Sequence, residues 1–593
     1  MPIIYIDGKA VEAKPGQMII EAAMDSGIVV PHYCWHPALS IAGNCRMCLV
    51  QVGSQKKDAD GTLVFDDEGK PVISWIPKLQ IACATPVADG MFVDMVGEKA
   101  VTAQNAVVEF QLINHPLDCP ICDEAGQCKL QEYAFTHSNA KSRFDEEKVH
   151  KIKRLPFGPN VMFDGERCIS CSRCIRFANE VAKQPALTFY QRGDSVSIRT
   201  FPGMQFDNAY SMNIIDICPV GALTSIDFRF RARVWEMSFT DTICPGCARG
   251  CNIHMGVMNN EVLRLEPRTN PHVNTYWMCD PGRLQTPDLI NKNRLSGPQI
   301  RVNGELTPAS WTDAIEAAVT IIRDTPASKV YVLGSSHASN EDNFVLAKLT
   351  REVLKSQNID CIAHSNPEFA DDMLRVADVS PNSAGARAVG IVPGNDSKSV
   401  HHLAKRITSG EIQTVIVLED DALSHSQSLA EAFAALPNLI VLSAHTTVVA
   451  QQASVLLPIA TFAEAEGTFT NINNRVQRFR PAVVTAENER YMGLKMSRWD
   501  KFGAPNDRWT HGERRDCRSA WRVMQAIAEG MGFKWGYDSS ENVFNDIAAH
   551  VEGFKGMSYA LLDKHMGLIL NKADQPEPEQ VIYVSNFMKP QVG

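Results

Sequence analysis

The pattern of apolar and polar residues predicts a small sheet-and-helix unit at the start of the chain. Ile3 to Ile6, an Asp-Gly pair at 7 and 8, and a short returning strand predict a β-hairpin. A helical pattern from Met18 to Asp25 follows, and Gly27 is typical of the residue that ends such a helix.

The second half of the chain has a different pattern of apolar residues. From about Pro326, "KVYVLG", "TVIVLED" and "NLIVLSA" are short apolar runs typical of buried strands, whereas "NEDNFVLAKLTREVLKSQ" has helical spacing. This alternation predicts a doubly wound parallel sheet. Before it, Ser310 and Asp313 form a predicted capping box. The helix after it has one apolar face, formed by Ile315, Ala318, Val319 and Ile322.

Size and composition limit the possible classes of protein. A chain of 593 residues is too long for one hydrophobic core and should form several domains. No apolar run reaches the roughly 18 residues that suggest a membrane span. The first residues show neither an export signal nor a transit pattern, so a cytoplasmic protein is expected. A formal net charge of −10 argues against nucleic-acid binding.

Cysteine usage points to metal. The chain has 17 cysteines, and a cytosolic protein keeps its thiols reduced, so clustered cysteines are interpreted first as metal ligands. All but two of them lie between Cys34 and Cys279; the exceptions are Cys361 and Cys517. The front half is therefore predicted to bind metal, and the back half is not.

The first ligand set, set 1, comprises Cys34, Cys45, Cys48 and Cys83. A hairpin, a helix and then a cysteine loop is the order of elements in a plant-type [2Fe–2S] ferredoxin. Ten residues separate the first two cysteines where the plant pattern has four, so this is a variant of that pattern. The charged stretch before Cys83, "GSQKKDADGTLVFDDEGKPVISWI", is predicted to be an inserted surface hairpin.

Set 2 comprises His115, Cys119, Cys122 and Cys128 in "HPLDCPICDEAGQC". A helical pattern over 103–110 should end near His115, because Pro116 disfavours its continuation. That end would present the imidazole beside the cysteine loop. From spacing alone, the set could hold zinc tetrahedrally, and the histidine could simply cap the helix.

Set 3 comprises Cys168, Cys171, Cys174 and, in a Cys-Pro pair, Cys218. Three cysteines at C-x2-C-x2-C with a remote Cys-Pro is the bacterial [4Fe–4S] ferredoxin pattern. The positions where a second cluster would have its ligands are occupied by Ala178, Asn208, Ser211 and Ile214. The pattern predicts a two-cluster ferredoxin domain that has kept one cluster.

Set 4 comprises Cys244, Cys247, Cys251 and Cys279. This spacing is similar to the [4Fe–4S] pattern at the front of molybdopterin oxidoreductases. The segment Ser454 to Val483 also resembles a signature segment of those enzymes.

The four sets, in this order, resemble the family of G-type large iron–sulfur subunits of NADH:quinone oxidoreductase, respiratory complex I. The resemblance covers nearly the whole chain. It implies that His115, Cys119, Cys122 and Cys128 hold a [4Fe–4S] cluster, giving one [2Fe–2S] and three [4Fe–4S] clusters in all. It also implies a bacterial source, because set 4 is absent from the mitochondrial members, and it places set 4 off the main electron path.

The resemblance implies a multidomain α+β and α/β architecture. The expected domains are a β-grasp [2Fe–2S] ferredoxin-like domain at 1–97, a helical His/Cys cluster domain at 98–138, a ferredoxin-like [4Fe–4S] domain at 139–236, a molybdopterin-type [4Fe–4S] domain at 237–295, and a molybdopterin-oxidoreductase-like α/β domain at 296–593.

Two departures argue against molybdopterin in the last domain. Formate dehydrogenases of this superfamily carry Cys or selenocysteine before a His-Ser pair, whereas Ala363 precedes His364 and Ser365 here. Only about a hundred residues follow the "GTFTN" segment, too few for the domain that completes the pterin cage. In another alignment register, Cys361 could supply the ligand.

The implied function is an electron-relay subunit with no catalytic residue and no substrate site of its own. Electrons would arrive from the NADH-oxidising FMN flavoprotein subunit and leave to a ferredoxin-like two-cluster subunit that leads to quinone. The expected location is peripheral, on the cytoplasmic side of the bacterial inner membrane. The alternative is the catalytic subunit of an NAD-linked molybdenum formate dehydrogenase. The cysteine-rich catalytic motifs of iron-only hydrogenase are missing.

Overall fold

The computed structural model describes residues 1–138, 141–489 and 512–572. These residues form two compact units that divide between Trp235 and Glu236. The front unit contains sets 1, 2 and 3, and the back unit contains set 4. In the described part of the chain, no helix is both long enough and apolar enough to cross a membrane.

The front unit begins with a β-grasp fold, as predicted. The strands are β1 Ile3–Ile6, β2 Lys9–Glu12, β3 Leu49–Gln55, β4 Ile73–Trp75, β5 Gln80–Ile81 and β6 Met91–Asp94, in the order β2-β1-β6-β3-β4 with β5 on β3. Helix α1, Ile19–Asp25, buries Ile19, Ile20, Ala22 and Ala23 in the core of this domain. The predicted turn is confirmed: Asp7 and Gly8 both have positive φ, 46° and 81°, as a tight hairpin requires.

The charged insertion before Cys83 differs from the single predicted hairpin. Strands β3 and β4 pair directly, and two isolated bridges, Lys57 with Leu63 and Phe65 with Pro71, fold the chain between them into two successive turns. Asp58 and Asp66 each accept hydrogen bonds from backbone N–H groups within their own turn, which explains why the chain reverses at these two points.

The rest of the front unit combines short helices with two small sheets. The helices are α2 Glu98–Leu112, α3 Lys129–Thr136, α4 Arg173–Glu180 and α5 Asn213–Asp216, with 3-10 turns at Cys119–Ile121 and Gly193–Ser195. The strands are β7 Leu155–Pro156, β8 Val161–Phe163, β9 Leu187–Tyr190, β10 Ser197–Thr200 and β11 Leu223–Ser225, paired as β11-β8-β7 and β10-β9. Helix α2 ends three residues before His115, close to the predicted position.

The back unit is built on a doubly wound sheet, as predicted. Its strands are β15 Gln299–Val302, β16 Glu305–Pro308, β17 Val330–Gly334, β18 Ile359–Cys361, β19 Thr414–Leu418, β20 Asn438–Ser443 and β21 Val455–Pro458, in the order β16-β15-β21-β20-β19-β17-β18. The five strands from β21 to β18 are parallel, and β15 and β16 form an antiparallel edge. Buried side chains on both faces of the sheet form two hydrophobic clusters.

Two further sheets and a layer of helices complete the back unit. The sheets are β12 Ser238–Ile243, β13 Asn252–Met258 and β14 Glu261–Pro267, and then β22 Gly467–Thr470, β23 Arg475–Phe479 and β24 Leu568–Ile569. The helices are α6 Asp280–Asn291, α7 Trp311–Asp324, α8 Asn340–Lys348 with a π-helical turn at Leu349–Val353, α9 Ser383–Ala388, α10 Leu403–Thr408, α11 Gln427–Ala434, α12 Val448–Gln452, α13 Ala520–Gly530, α14 Ser540–His550 and α15 Tyr559–Lys564. Ser310 caps α7 as predicted, with its hydroxyl accepting from the Asp313 N–H over 3.1 Å. In place of the second bond of the predicted capping box, the Asp313 carboxylate accepts from the Ser310 hydroxyl over 2.7 Å.

Candidate metal centres

The four thiols of set 1 meet in one place. The Cys34 N–H donates to Cys45 Sγ over 3.4 Å, and the Cys34 thiol also contacts the Cys83 thiol, which in turn contacts Cys48. Contact with Cys45 and Cys83 lowers the pKa of the Cys34 thiol. A [2Fe–2S] cluster needs four convergent cysteine sulfurs, and this arrangement supplies them.

Set 2 lies on the short segment between α2 and α3. Burial, with a contribution from Arg167, lowers the pKa of His115 to about 4, so its imidazole is neutral at pH 7 and able to bind metal. Cys122 is buried, whereas Cys119 is exposed. Burial raises the pKa of Cys128 to about 12. Within the described residues, no hydrogen bond joins His115 to these thiols.

Set 3 encloses a small cavity lined by all four of its cysteines and by apolar side chains such as Phe163 and Leu223. The loop before α4 is tightly wound because Ser170 and Ser172 have positive φ, 54° and 64°. Burial raises the pKa of Cys168 to about 11. Four sulfurs that line one small apolar cavity match the requirement of a cubane.

The cysteines of set 4 line a cavity of about 680 Å³ in the back unit. Cys279 is the N-cap of α6, and its Sγ accepts from the Gly282 N–H over 3.4 Å. A Cβ at Gly282 would lie 3.2 Å from the sulfurs of both Cys244 and Cys279, so the absence of a side chain leaves room between these ligands.

Across the described part of the chain, no group of three or more His, Cys, Asp or Glu side chains is tight enough to hold a single metal ion.

Sets 1 and 3 are joined by two buried arginines. Arg173 donates to the carbonyl oxygens of Trp35 and Ile217, each next to a cysteine of one set. Arg176 donates to the carbonyl oxygens of Cys34 and Cys171. The two cysteine loops are therefore held together directly.

The segments that carry sets 3 and 2 are also in contact. A Cβ built on Gly221, three residues after Cys218, would lie 2.1 Å from Cys122 Sγ. The N–H of Lys129, which follows Cys128, donates to the Pro219 carbonyl over 3.0 Å.

Sets 1 and 2 are neighbours too, but side chains separate them. The Tyr33 and Tyr133 rings meet edge to face with centroids 5.2 Å apart, and Lys129 Nζ lies 3.3 Å from His32 Nε2. Burial, with Arg173 nearby, lowers the pKa of Lys129 to about 7.

The back unit has a second cavity, of about 700 Å³, that the sequence did not indicate. Its lining includes His337, His364, Asp420 and His445, which follow the carboxyl ends of four different parallel strands. His364 Nε2 lies 2.9 Å from Asp420 Oδ2. Polar residues that follow the predicted strands β17, β18, β19 and β20 could have indicated this cavity, because ligands bind at the carboxyl edge of open α/β sheets.

The residue at the proposed molybdenum-ligand position, Ala363, lines this second cavity and offers no donor atom. Cys361 is half-buried at the end of β18, and burial raises the pKa of its thiol to about 11. Cys361 is thus a half-buried thiol at a strand end.

Comparison with known families gives five matches along the chain. They are the 2Fe-2S iron-sulfur cluster binding domain at 3–97, the NADH-ubiquinone oxidoreductase-G iron-sulfur binding region at 104–143, the ferredoxin-like domain of NADH-quinone oxidoreductase subunit 3 at 158–224, the molybdopterin oxidoreductase Fe4S4 domain at 237–285, and molybdopterin oxidoreductase at 372–492.

Curated relatives agree with these matches. The chain is 38% identical over 373 residues to NADH-quinone oxidoreductase subunit 3 of Thermus thermophilus, covering 60% of this chain and 47% of that protein. It is 37% identical over 350 residues to the NADH-quinone oxidoreductase G subunit of Rickettsia conorii, covering 59% and 49%. It is 36% identical over 386 residues to the NADH-ubiquinone oxidoreductase 75 kDa subunit of Reclinomonas americana, covering 64% and 52%. The chain thus spans about half the length of these relatives.

A solved structure, the NAD+-reducing [NiFe]-hydrogenase in the H2-reduced state, is 26% identical, with a TM-score of 0.33, covering 39% of this chain and 91% of that one. The fold and these matches indicate a chain with 2Fe-2S and 4Fe-4S binding domains and a molybdopterin-oxidoreductase-type back unit. More narrowly, the matched part of the chain is similar to the G-type subunits of NADH-quinone oxidoreductase.

Proposed function

We propose that this chain is an electron-relay subunit of a bacterial NADH:quinone oxidoreductase and has no substrate site of its own. It holds one [2Fe–2S] cluster on set 1 and one [4Fe–4S] cluster on each of sets 2, 3 and 4, within the five domains predicted from the sequence. The observation that carries this proposal is the packing of the segments that bear sets 1, 2 and 3 against one another inside the front unit.

The contacts support a path that does not follow the order of the sets in the chain. Set 3 touches set 1 through Arg176 and touches set 2 through Gly221, whereas Tyr33 and Tyr133 separate sets 1 and 2. Electron transfer slows steeply with distance, so direct neighbours are favoured. Electrons therefore pass from set 1 to set 3 and then to set 2.

Exposure supports an assignment of the exit. Cys119 of set 2 is exposed, whereas every other cysteine of the four sets is buried or half-buried. A cluster held at the surface can pass its electron to a partner protein. We assign set 2 to the ferredoxin-like two-cluster subunit and set 1 to the side of the NADH-oxidising flavoprotein subunit, in a complex peripheral to the cytoplasmic face of the inner membrane.

Iron–sulfur clusters supply the chemistry, because they gain and lose single electrons when bound. The chain supplies thiolates and one neutral imidazole, His115, as ligands. It excludes water from set 3 with apolar side chains such as Phe163. It also carries fixed positive charge between sets 1 and 3.

Removing set 3 tests the path. In the full chain with its flavoprotein partner, a Cys174→Ala variant should still show reduction of the [2Fe–2S] cluster by NADH, with reduction of set 2 at least tenfold slower. Rapid freeze-quench EPR resolves the two signals. The control is Cys361→Ala, which removes a half-buried thiol outside every set. Reduction of set 2 at the wild-type rate in Cys174→Ala would show a direct path past Tyr33 and Tyr133.

A further inference from the structure

Arg173 is a fully buried cation without a carboxylate partner. It is one of the largest completely buried side chains of the described structure, with 0% of its surface exposed. Within the described residues, no Asp or Glu lies at ion-pair distance from Arg173, and its Nε has no hydrogen-bond partner. Burying a charge in this way costs several kcal/mol unless an anion compensates it.

The hydrogen bonds of Arg173 fix the position of its guanidinium. Its Nη1 donates to the Ile217 carbonyl over 3.0 Å, and its Nη2 donates to the Trp35 carbonyl. These residues adjoin Cys218 of set 3 and Cys34 of set 1. The guanidinium therefore lies between the two cysteine loops.

Arg176, one turn later on α4, adds a second positive charge. Its Nη2 donates to the carbonyls of Cys34 and Cys171, and its Nη1 donates to that of Ser40. The acceptors of both arginines are neutral, namely backbone carbonyls and, for Arg176 Nε, the Ser172 hydroxyl at 3.2 Å, so these bonds do not compensate their charge.

The groups that favour the charged form of Arg173 are the sulfurs of Cys171, Cys34 and Cys45, whereas burial lowers the pKa of its guanidinium and opposes them. A cluster with four thiolate ligands is anionic, and reduction adds one more negative charge to it. A fixed cation beside such a cluster stabilises the reduced state more than the oxidised state.

We propose that Arg173, supported by Arg176, is an electrostatic positioning residue that raises the reduction potentials of the clusters on sets 1 and 3 together. This inference rests on the proposed function, because it needs clusters on both sets. It adds that two neighbouring centres share one counter-charge. The negative charge gained by one cluster on reduction then offsets part of the positive charge, so that the reduced state of the other cluster is stabilised less.

The test compares charge with hydrogen bonding in the full-chain holoprotein. In Arg173→Gln, EPR redox titration should show both midpoint potentials lowered by at least 59 mV, which corresponds to a tenfold change in the one-electron equilibrium constant. Arg173→Lys, which keeps the charge and loses the planar fork, should change the constants less than threefold. The set 3 signal is the one that Cys174→Ala removes.

Arg475 provides a matched control in the back unit. It is 7% exposed and donates to the Gly567 carbonyl over 2.6 Å, and in the described residues it has no carboxylate partner. Arg475→Gln should destabilise the protein and leave both potentials unchanged. Equal potentials in wild type and Arg173→Gln would overturn the inference and leave Arg173 as a structural clamp.

Loss of the clusters is also informative. If Arg173→Gln assembles without them while Arg173→Lys retains them, the charge is required, as proposed. If both variants lose them equally, the fork geometry and not the charge is what matters, and the inference is wrong. Failure of the proposed function appears separately, as wild-type protein without the [2Fe–2S] and [4Fe–4S] signals.

Discussion

Gly221 approaches Cys122 so closely that a Cβ on the glycine would lie 2.1 Å from the cysteine sulfur. Gly221 follows Cys218 of set 3, and Cys122 belongs to set 2. The glycine does not have a left-handed φ, so its role here is to provide space and not conformational freedom. This contact couples the geometry of two proposed centres that are about a hundred residues apart in the sequence.

Gly221→Ala should therefore damage set 2 although it changes the loop of set 3. The added methyl group forces Cys122 away, and a cysteine bound to iron has little freedom to move. We expect loss or strong broadening of the set 2 EPR signal with the [2Fe–2S] signal intact. Gly297→Ala is the control, because a Cβ there meets no atom within 4 Å. A normal set 2 signal in Gly221→Ala would contradict the proposed ligand role of Cys122.

His115 should be an iron ligand and not a helix cap. Replacing it with Cys keeps four ligands and adds negative charge, so the cluster should survive with a lower reduction potential. EPR redox titration measures that shift. His137→Cys, in the same domain but outside every set, should leave the midpoint unchanged. If His115→Cys also leaves every midpoint unchanged, His115 is not a ligand.

Glu341 should make the back unit less stable as pH rises. Burial raises its pKa from the ordinary 4.5 to about 8, while hydrogen bonds from the Thr468 N–H and the Tyr559 hydroxyl oppose that shift. Between these two values the native state holds a proton that the unfolded state has lost. The contribution of Glu341 to the free energy of unfolding is fully present below its pKa in the unfolded state. As pH rises from there to its pKa in the native state, this contribution falls by about 1.4 kcal/mol per pH unit.

Urea unfolding at several pH values between about 5 and 8 tests this behaviour. Glu341→Gln should remove the decline attributed to Glu341, whereas substitution of the exposed Glu529 by Gln should leave the wild-type slope. An identical slope in Glu341→Gln and wild type would mean that Glu341 does not hold a proton in the native protein.

Local structure was well predicted from the sequence, whereas the spatial relationships between the sets were not. The Asp7-Gly8 hairpin and the strands of the back unit follow from local pattern. The cysteine sets were also assigned from local spacing, and that assignment stays a prediction. The contact of Arg173 with Trp35 joins residues 138 apart in the chain, and the approach of Gly221 to Cys122 depends on packing. Spacing within a set gives no information about which sets become neighbours.

The cavity beside His337, His364 and Asp420 could not be predicted for a similar reason. Each residue follows a different strand, and only the strand order of the sheet brings them together. The left-handed conformations of Ser170 and Ser172 also escaped prediction, because serine does not specify positive φ as glycine often does.

The back unit is expected to hold no molybdenum. Ala363 at the expected ligand position has no donor atom, and Cys361 is half-buried at a strand end. Elemental analysis of the intact complex tests this expectation. Molybdenum or tungsten near one atom per chain would favour the formate dehydrogenase alternative and contradict the relay assignment.

The central claim is that the four sets hold iron–sulfur clusters, and metal analysis of the anaerobically purified chain tests it most directly. One [2Fe–2S] and three [4Fe–4S] clusters require about 14 iron atoms per chain, with an equal amount of acid-labile sulfide. The proposal predicts these values with no stoichiometric zinc. Zinc near one atom per chain, with iron and sulfide reduced by about four each, would contradict the assignment of at least one set.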